Sequence, residues 1–154
     1  MIVNANNIEH AYYKVQLISA QDTYTIRQPV LRAGKPIKDC VFEGDNLKTT
    51  FHLGLFLNEN LIGVASYMKN TNVIFSEDTQ YQLRGMAILE DYQKKGLGTL
   101  LLQASKEKLT QMKVDRLWFN AREIAVKFYK NHGYKTIGEP FTIEGVGIHF
   151  LMTE

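Results

Sequence analysis

Apolar positions along the chain switch between two periods, and the switches mark its elements. Lys14-Val15-Gln16-Leu17-Ile18 alternates with period two, as a half-buried first strand does. A helix is predicted over Thr23 to Leu31, capped by Asp22, with Pro29 inside it as a site of shortening or kinking. The stretch from Arg32 to Thr50 is polar and irregular, punctuated by Gly34, Pro36 and Gly44, and long connections of this kind are often functional. Two strand-like runs follow, Phe51 to Leu57 and Leu61 to Tyr67, and Asn58-Glu59-Asn60 between them reads as a hairpin turn. Tyr81 to Ile88 is a further strand.

Helical spacing then takes over. From Gly98 to Met112 the apolar residues Leu102, Leu109 and Met112 share a face with Ser105, while Gln103, Lys106, Glu107 and Lys113 fall mostly on the other. Arg116 to Ala121 reads as a strand, and Glu123 to Asn131 as a short helix stopped near Gly133. Tyr134 to Ile137 and Val146 to Met152 read as closing strands, joined through Gly138-Glu139-Pro140 and a loop at Glu144-Gly145. This order describes an α/β fold: a mixed, mostly antiparallel sheet flanked by helices, in which the strands on either side of the long helix can run parallel.

At 154 residues the chain is expected to form a single domain spanning residues 1–154, large enough to bury a core without staples. Its net charge of +2, with no basic run longer than Lys94-Lys95, argues against a nucleic-acid partner. The polar start, Met1 to Asn7, lacks the apolar region of a leader, and no stretch is long and apolar enough for a membrane span. A lone cysteine, Cys40, excludes an intrachain disulfide and fits a reducing compartment, so the expected location is cytoplasmic. No spacing of His, Cys or Asp suggests a metal.

The chemistry concentrates between the strand ending at Ile88 and the long helix. Gln93-Lys94-Lys95-Gly96-Leu97-Gly98 is a short loop whose backbone amides, with the first-turn amides of the helix and its dipole, can hold a diphosphate. A P-loop would need Lys and Ser or Thr after the last glycine, where Thr99-Leu100 stands; a dinucleotide fingerprint would need a small residue at Leu101. A third pattern fits: Gln or Arg, two residues, Gly, one residue, Gly or Ala.

With the strand Gln82-Leu83-Arg84-Gly85-Met86-Ala87-Ile88 before it and Ala125-Val126-Lys127-Phe128-Tyr129-Lys130-Asn131-His132-Gly133-Tyr134 after it, the loop resembles the coenzyme A site of the GNAT (N-acetyltransferase) superfamily. The resemblance covers roughly Tyr81 to Met152. It implies an acetyl-CoA-dependent N-acyltransferase that moves an acetyl group to a primary amine of a small molecule or peptide, by direct transfer in a ternary complex. Met86, Ala87 and Ile88 would bind the pantetheine arm through their backbone. Gln93, Lys94, Lys95, Gly96, Leu97, Gly98 and Thr99 would hold the pyrophosphate, and a splay of strands near Asn120 would admit the thioester. Tyr129 matches the general-acid position. Arg122 replaces the Asn common at its place, and Gln93 stands where many relatives have Arg.

The motif assigns no general base. His149 and His52 are the groups that titrate near neutral pH in suitable elements; His10 and His132 have only a surface placement. Glu43, Asp45 and Glu144 could meet a cationic amine, and Arg84 either pairs with a substrate carboxylate or makes a structural ion pair. The exposed last strand would suit a homodimer. The alternative function is a catalytically degenerate module that binds CoA and regulates.

Overall fold

The computed structural model describes residues 5–8 and 11–154; His10 and the first four residues lie outside them. The elements are β1 (Ala5–Ile8), β2 (Ala11–Ile18), α1 (Ala20–Leu31), β3 (Phe51–Leu57), β4 (Asn60–Lys69), β5 (Gln80–Ile88), α2 (Gly98–Gln111), β6 (Arg116–Arg122), α3 (Val126–Lys130), β7 (Lys135–Ile143) and β8 (Gly147–Thr153). Eight strands form one sheet in the order β1-β2-β3-β4-β5-β6-β8-β7, antiparallel throughout except where β5 and β6 run parallel. Among the described residues no helix is long and apolar enough to cross a membrane.

Alternation assigns each face of this sheet its own core. Val64 and Ala87 pack with Ile26 of α1, whereas their neighbours Ala65, Met86 and Ile88 pack with the larger cluster built on Leu101, Leu102 and Ala104 of α2. Tyr67 carries its phenol into that second layer and shares a short hydrogen bond with Ser105. The Ser on the apolar helix face is therefore a satisfied core residue.

Four sequence expectations change. Ser19, not Asp22, caps α1: its Oγ accepts from the Asp22 amide at 3.1 Å while the Asp22 carboxylate accepts from the Ser19 amide at 3.1 Å, a reciprocal box that starts the helix three residues earlier. Gly138-Glu139-Pro140 is strand rather than loop, because β7 is an edge where a proline's missing N–H costs no ladder bond. A register shift between Ile137 and Phe141 absorbs the irregularity. The last strand, β8, is not the exposed one; it lies between β6 and β7, so the edge available for pairing belongs to β7. The short strand β1, which adds to β2, was not anticipated.

Candidate active site

The site begins with a strand that cannot stay straight. Val64 pairs with Ala87 and Ser66 with Arg84, so Gly85 and Met86 together oppose Ala65. This is a bulge, and its first residue has φ +61°, the left-handed region that glycine adopts without penalty. A side chain at Gly85 would also sit 2.7 Å from the Phe42 ring. On its other edge β5 pairs with β6 only from Gln80–Arg116 to Gln82–Trp118. Beyond that point the two strands part, and a cleft of about 410 Å³ opens, lined by residues 82–86 from β5 and 119–122 from β6. The expected splay near Asn120 is present, and Asn120 lines the cleft with an exposed side chain.

Tyr129 also lines the cleft. Its ring packs against Phe119 at 4.4 Å and Phe128 at 5.2 Å, and its phenol donates to Met86 Sδ at 3.5 Å. Burial holds that phenol well above the ordinary tyrosine value, so it stays protonated throughout the physiological range. His149 lies in the same cleft. Its Nδ1 meets the Gly147 carbonyl at 2.8 Å; a carbonyl only accepts, so in the neutral ring Nδ1 carries the proton and Nε2 keeps the lone pair.

The glycine loop leads into α2 from outside this cleft. Gly96 takes φ +77° and Lys94 takes φ +59°, which folds the loop back on itself. The amides of residues 94–98 donate to no protein acceptor among the described residues. Leu97, the cap of α2, offers no side-chain oxygen to the free amides. An anion at this helix start would meet several unsatisfied donors. The two glycines do different work. Gly96 has open space around it, whereas a Cβ at Gly98 would meet Phe128 at 2.9 Å and Met86 at 3.2 Å, so Gly98 allows close packing rather than a turn. Gln93 turns its side-chain amide to the Ile88 carbonyl at 2.8 Å, tying the loop to the end of β5. Thr99 Oγ1 bonds His132 Nε2 at 2.8 Å, and His132 Nδ1 bonds the Phe128 carbonyl at 2.8 Å, which joins the start of α2 to the end of α3. Lys94 and Lys95 are exposed, Leu97 and Ala87 are buried, and Ile88 is half-buried.

Two other candidates belong to a buried network instead. Arg27 is fully buried; its Nη1 and Nη2 grip both Asp45 carboxylate oxygens at 2.7 and 2.9 Å, and also reach the Cys40 carbonyl and Ser66 Oγ, each at 2.8 Å. His52 closes the network through Nδ1 to Ser66 Oγ at 2.7 Å and Nε2 to the Asp45 carbonyl at 2.9 Å. Burial pushes the His52 ring below its usual value, as a neutral tautomer between these partners requires. Asp45 is therefore not a free anion for an amine. Cys40 is buried, and burial raises its thiol.

Sequence reasoning missed the bulge and the network. The glycine inside a strand pattern was the available signal for the first; the second unites residues scattered over α1, the long connection, β3 and β4, and leaves no local signature.

Comparison with known proteins agrees with this geometry. The model of the Acetyltransferase (GNAT) family matches residues 10–134. The uncharacterized N-acetyltransferase YitI of Bacillus subtilis (strain 168) is 38% identical over 139 residues, covering 90% of this chain and 93% of its own. Two solved structures share the fold at low identity. Arabidopsis thaliana NAA60 in complex with a bisubstrate analogue has a TM-score of 0.72 and 12% identity, covering 92% of this chain and 97% of its own. A GNAT family acetyltransferase from Elizabethkingia anophelis with acetyl-CoA bound has a TM-score of 0.65 and 14% identity, covering 92% and 96%. The family model over residues 10–134 and the 38% identical relative show that the chain belongs to the Acetyltransferase (GNAT) family of acyltransferases.

Proposed function

We propose that the chain moves an acetyl group from acetyl-CoA to a primary amine of a small molecule or peptide, directly, within a ternary complex. One observation carries the reading: where β5 and β6 part, a protonated phenol already donates to a sulfur, Met86 Sδ. A thioester sulfur admitted there would compete with that thioether for the same proton.

The residues present fit the donor. Loop residues 93–99 at the start of α2 would hold the pyrophosphate through free amides, with Lys94 and Lys95 as screening charges. The edge of β5 from Met86 to Ile88 would take the pantetheine arm as an added strand. When bound, the donor supplies an activated acetyl carbon and a thiolate leaving group. Asn120 flanks the entry to the splay. Tyr129 gives its proton to the departing sulfur, within the roughly 3 Å reach that such a transfer needs. His149 Nε2 takes the proton that the amine loses, and exchange with solvent returns both residues to their starting state.

Isothermal titration with acetyl-CoA, CoA and ATP tests the binding half. Micromolar affinity for both CoA species, with ATP much weaker, is the expected result; failure of both CoA species to bind would sink the proposal. Gly96→Glu should abolish that affinity. Nothing lies within 4 Å of the site of its Cβ, so the strain of a side chain at φ +77° falls on the loop backbone, and an unfolding midpoint close to the parent's separates lost binding from lost fold. Binding without thiol release across an amine panel would turn the reading toward a regulatory CoA-binding module.

A further inference from the structure

The cleft that opens between β5 and β6 has an unusual charge balance. Arg32, Arg84 and Arg122 line it, and no Asp, Glu or Lys does. Elsewhere the chain pairs arginines carefully: Arg27 grips Asp45, and Arg116 bonds Glu77. Within the cleft, the guanidinium groups of Arg84 and Arg122 form no hydrogen bond or ion pair with any described residue, and that of Arg32 makes one bond, Nη1 to the Leu31 carbonyl at 2.9 Å. All three are half-buried. A guanidinium deprived of part of its water and given no acceptor is costly, and five fixed donors make it a reader of planar anions.

The surroundings sharpen this. Phe42 lies against two of the arginines, with Arg84 Cζ 4.8 Å and Arg32 Cζ 5.3 Å from the ring centroid, so both are held over a flat apolar support. The nearby acids leave the charge standing. Asp45 has both oxygens on Arg27, and Glu43 is exposed and forms no ion pair. Burial and the neighbouring Arg27 disfavour the charged form of Arg84, a cost that a bound anion would offset. Nor are the donor's phosphates the natural partner, because no residue of the glycine loop lines this cleft.

Resting on the acyltransferase reading above, we infer that the acceptor is an amino-carboxylate with an apolar body: Arg84, with Arg32 and Arg122, receives its carboxylate, and Phe42, Leu31, Ile143 and Val146 receive its carbon skeleton. The positive cleft also serves the chemistry. It disfavours the ammonium form of the bound amine, so the nucleophile loses its proton more readily and a strong dedicated base is less needed. A simple cationic amine has no acid in the cleft to hold it.

The test uses the whole chain saturated with acetyl-CoA or CoA. Apolar amino acids are compared with their carboxamides and with the amines lacking the carboxyl group, by thiol release. In parallel, N-acetyl amino acids and their amides are titrated into the CoA-bound chain. The carboxylate member of each pair should win by about tenfold or more in kcat/KM and in affinity. Arg84→Gln and Arg122→Gln, on different strands, should both narrow that ratio toward one, and Arg84→Lys should recover part of it. Equal or better performance by the amides or simple amines overturns the inference, as does a ratio that neither variant moves, or no binding of any carboxylate. Failure of acetyl-CoA itself to bind strikes the acyltransferase reading instead, so the two failures are separable.

Discussion

Of the three arginines near the Phe42 ring, Arg27 and Arg84 are in opposite circumstances. Arg27 is wholly enclosed and has its guanidinium matched to a carboxylate, a carbonyl and a hydroxyl, with only Nε left unbonded. Arg84 is half-buried in the cleft, and among the described residues its guanidinium is matched to nothing beyond the face of an aromatic ring. The first is architecture: it fastens α1 and the long connection to β4 behind the bulge. The second leaves its donors open, as the proposed carboxylate site requires. Residue type alone does not separate these roles; the count of satisfied donors does.

The sharpest way to break the comparison is to strand the enclosed arginine. Asp45→Ala leaves a buried guanidinium without its carboxylate and is expected to cost about 3–5 kcal/mol in urea unfolding. A loss below about 1 kcal/mol would show that the network is not a structural clamp.

Next in size is the floor of the cleft. Tyr129→Phe should lower kcat about 100-fold while leaving the acetyl-CoA KM and the unfolding midpoint little changed. An unaltered kcat would reduce the phenol to packing between Phe119 and Phe128.

Gly85→Ala probes the seam between the two regions. It forces a side chain into a left-handed backbone and against Phe42, and should cost about 1–3 kcal/mol in thermal unfolding. Because Phe42 supports Arg84, acceptor KM should rise more than donor KM.

The smallest effect is a pH dependence. His52 is held neutral in the fold, with its value pushed below 6.5, so between that lowered value and 6.5 the unfolded chain binds more protons than the native one. Stability is then full above 6.5 and falls as the medium acidifies through that window, and His52→Gln should flatten this part of the urea-midpoint profile.

Much of this molecule is legible in its sequence, for physical reasons that also explain the exceptions. The runs of β3, β4 and β5 are readable because α1 covers one face of these strands and α2 the other, which leaves long apolar stretches in the sequence. The glycine loop is equally readable, because a sharp loop before a helix needs glycine and a bound anion favours nearby cations, and the run from Gln93 to Gly98 supplies both; the bulge at Gly85 was not read. Pro140 misled because a breaker inside a central strand is harmless on an edge. Asp45 misled because an acid in a polar stretch looks solvated until Arg27, 18 residues away, is found beneath it. Of the arginines that line the cleft, Arg84 alone was legible, with two open roles; Arg32 reaches it from the end of α1 and Arg122 from the end of β6.

The short parallel pairing between β5 and β6 has a mechanical side. Among the described residues three pairs, Gln80–Arg116, Tyr81–Leu117 and Gln82–Trp118, bind the β1–β5 half of the sheet to the β6–β8–β7 half by backbone ladder. The sheet is therefore two leaves on a short spine, with α2 running from one leaf to the other across the back. An extended ligand that bonds to the free edge of β5 lengthens the spine. Amide hydrogen exchange should accordingly slow along β5 and β6 together, turning two loosely coupled leaves into one cooperative unit for the time the donor is held.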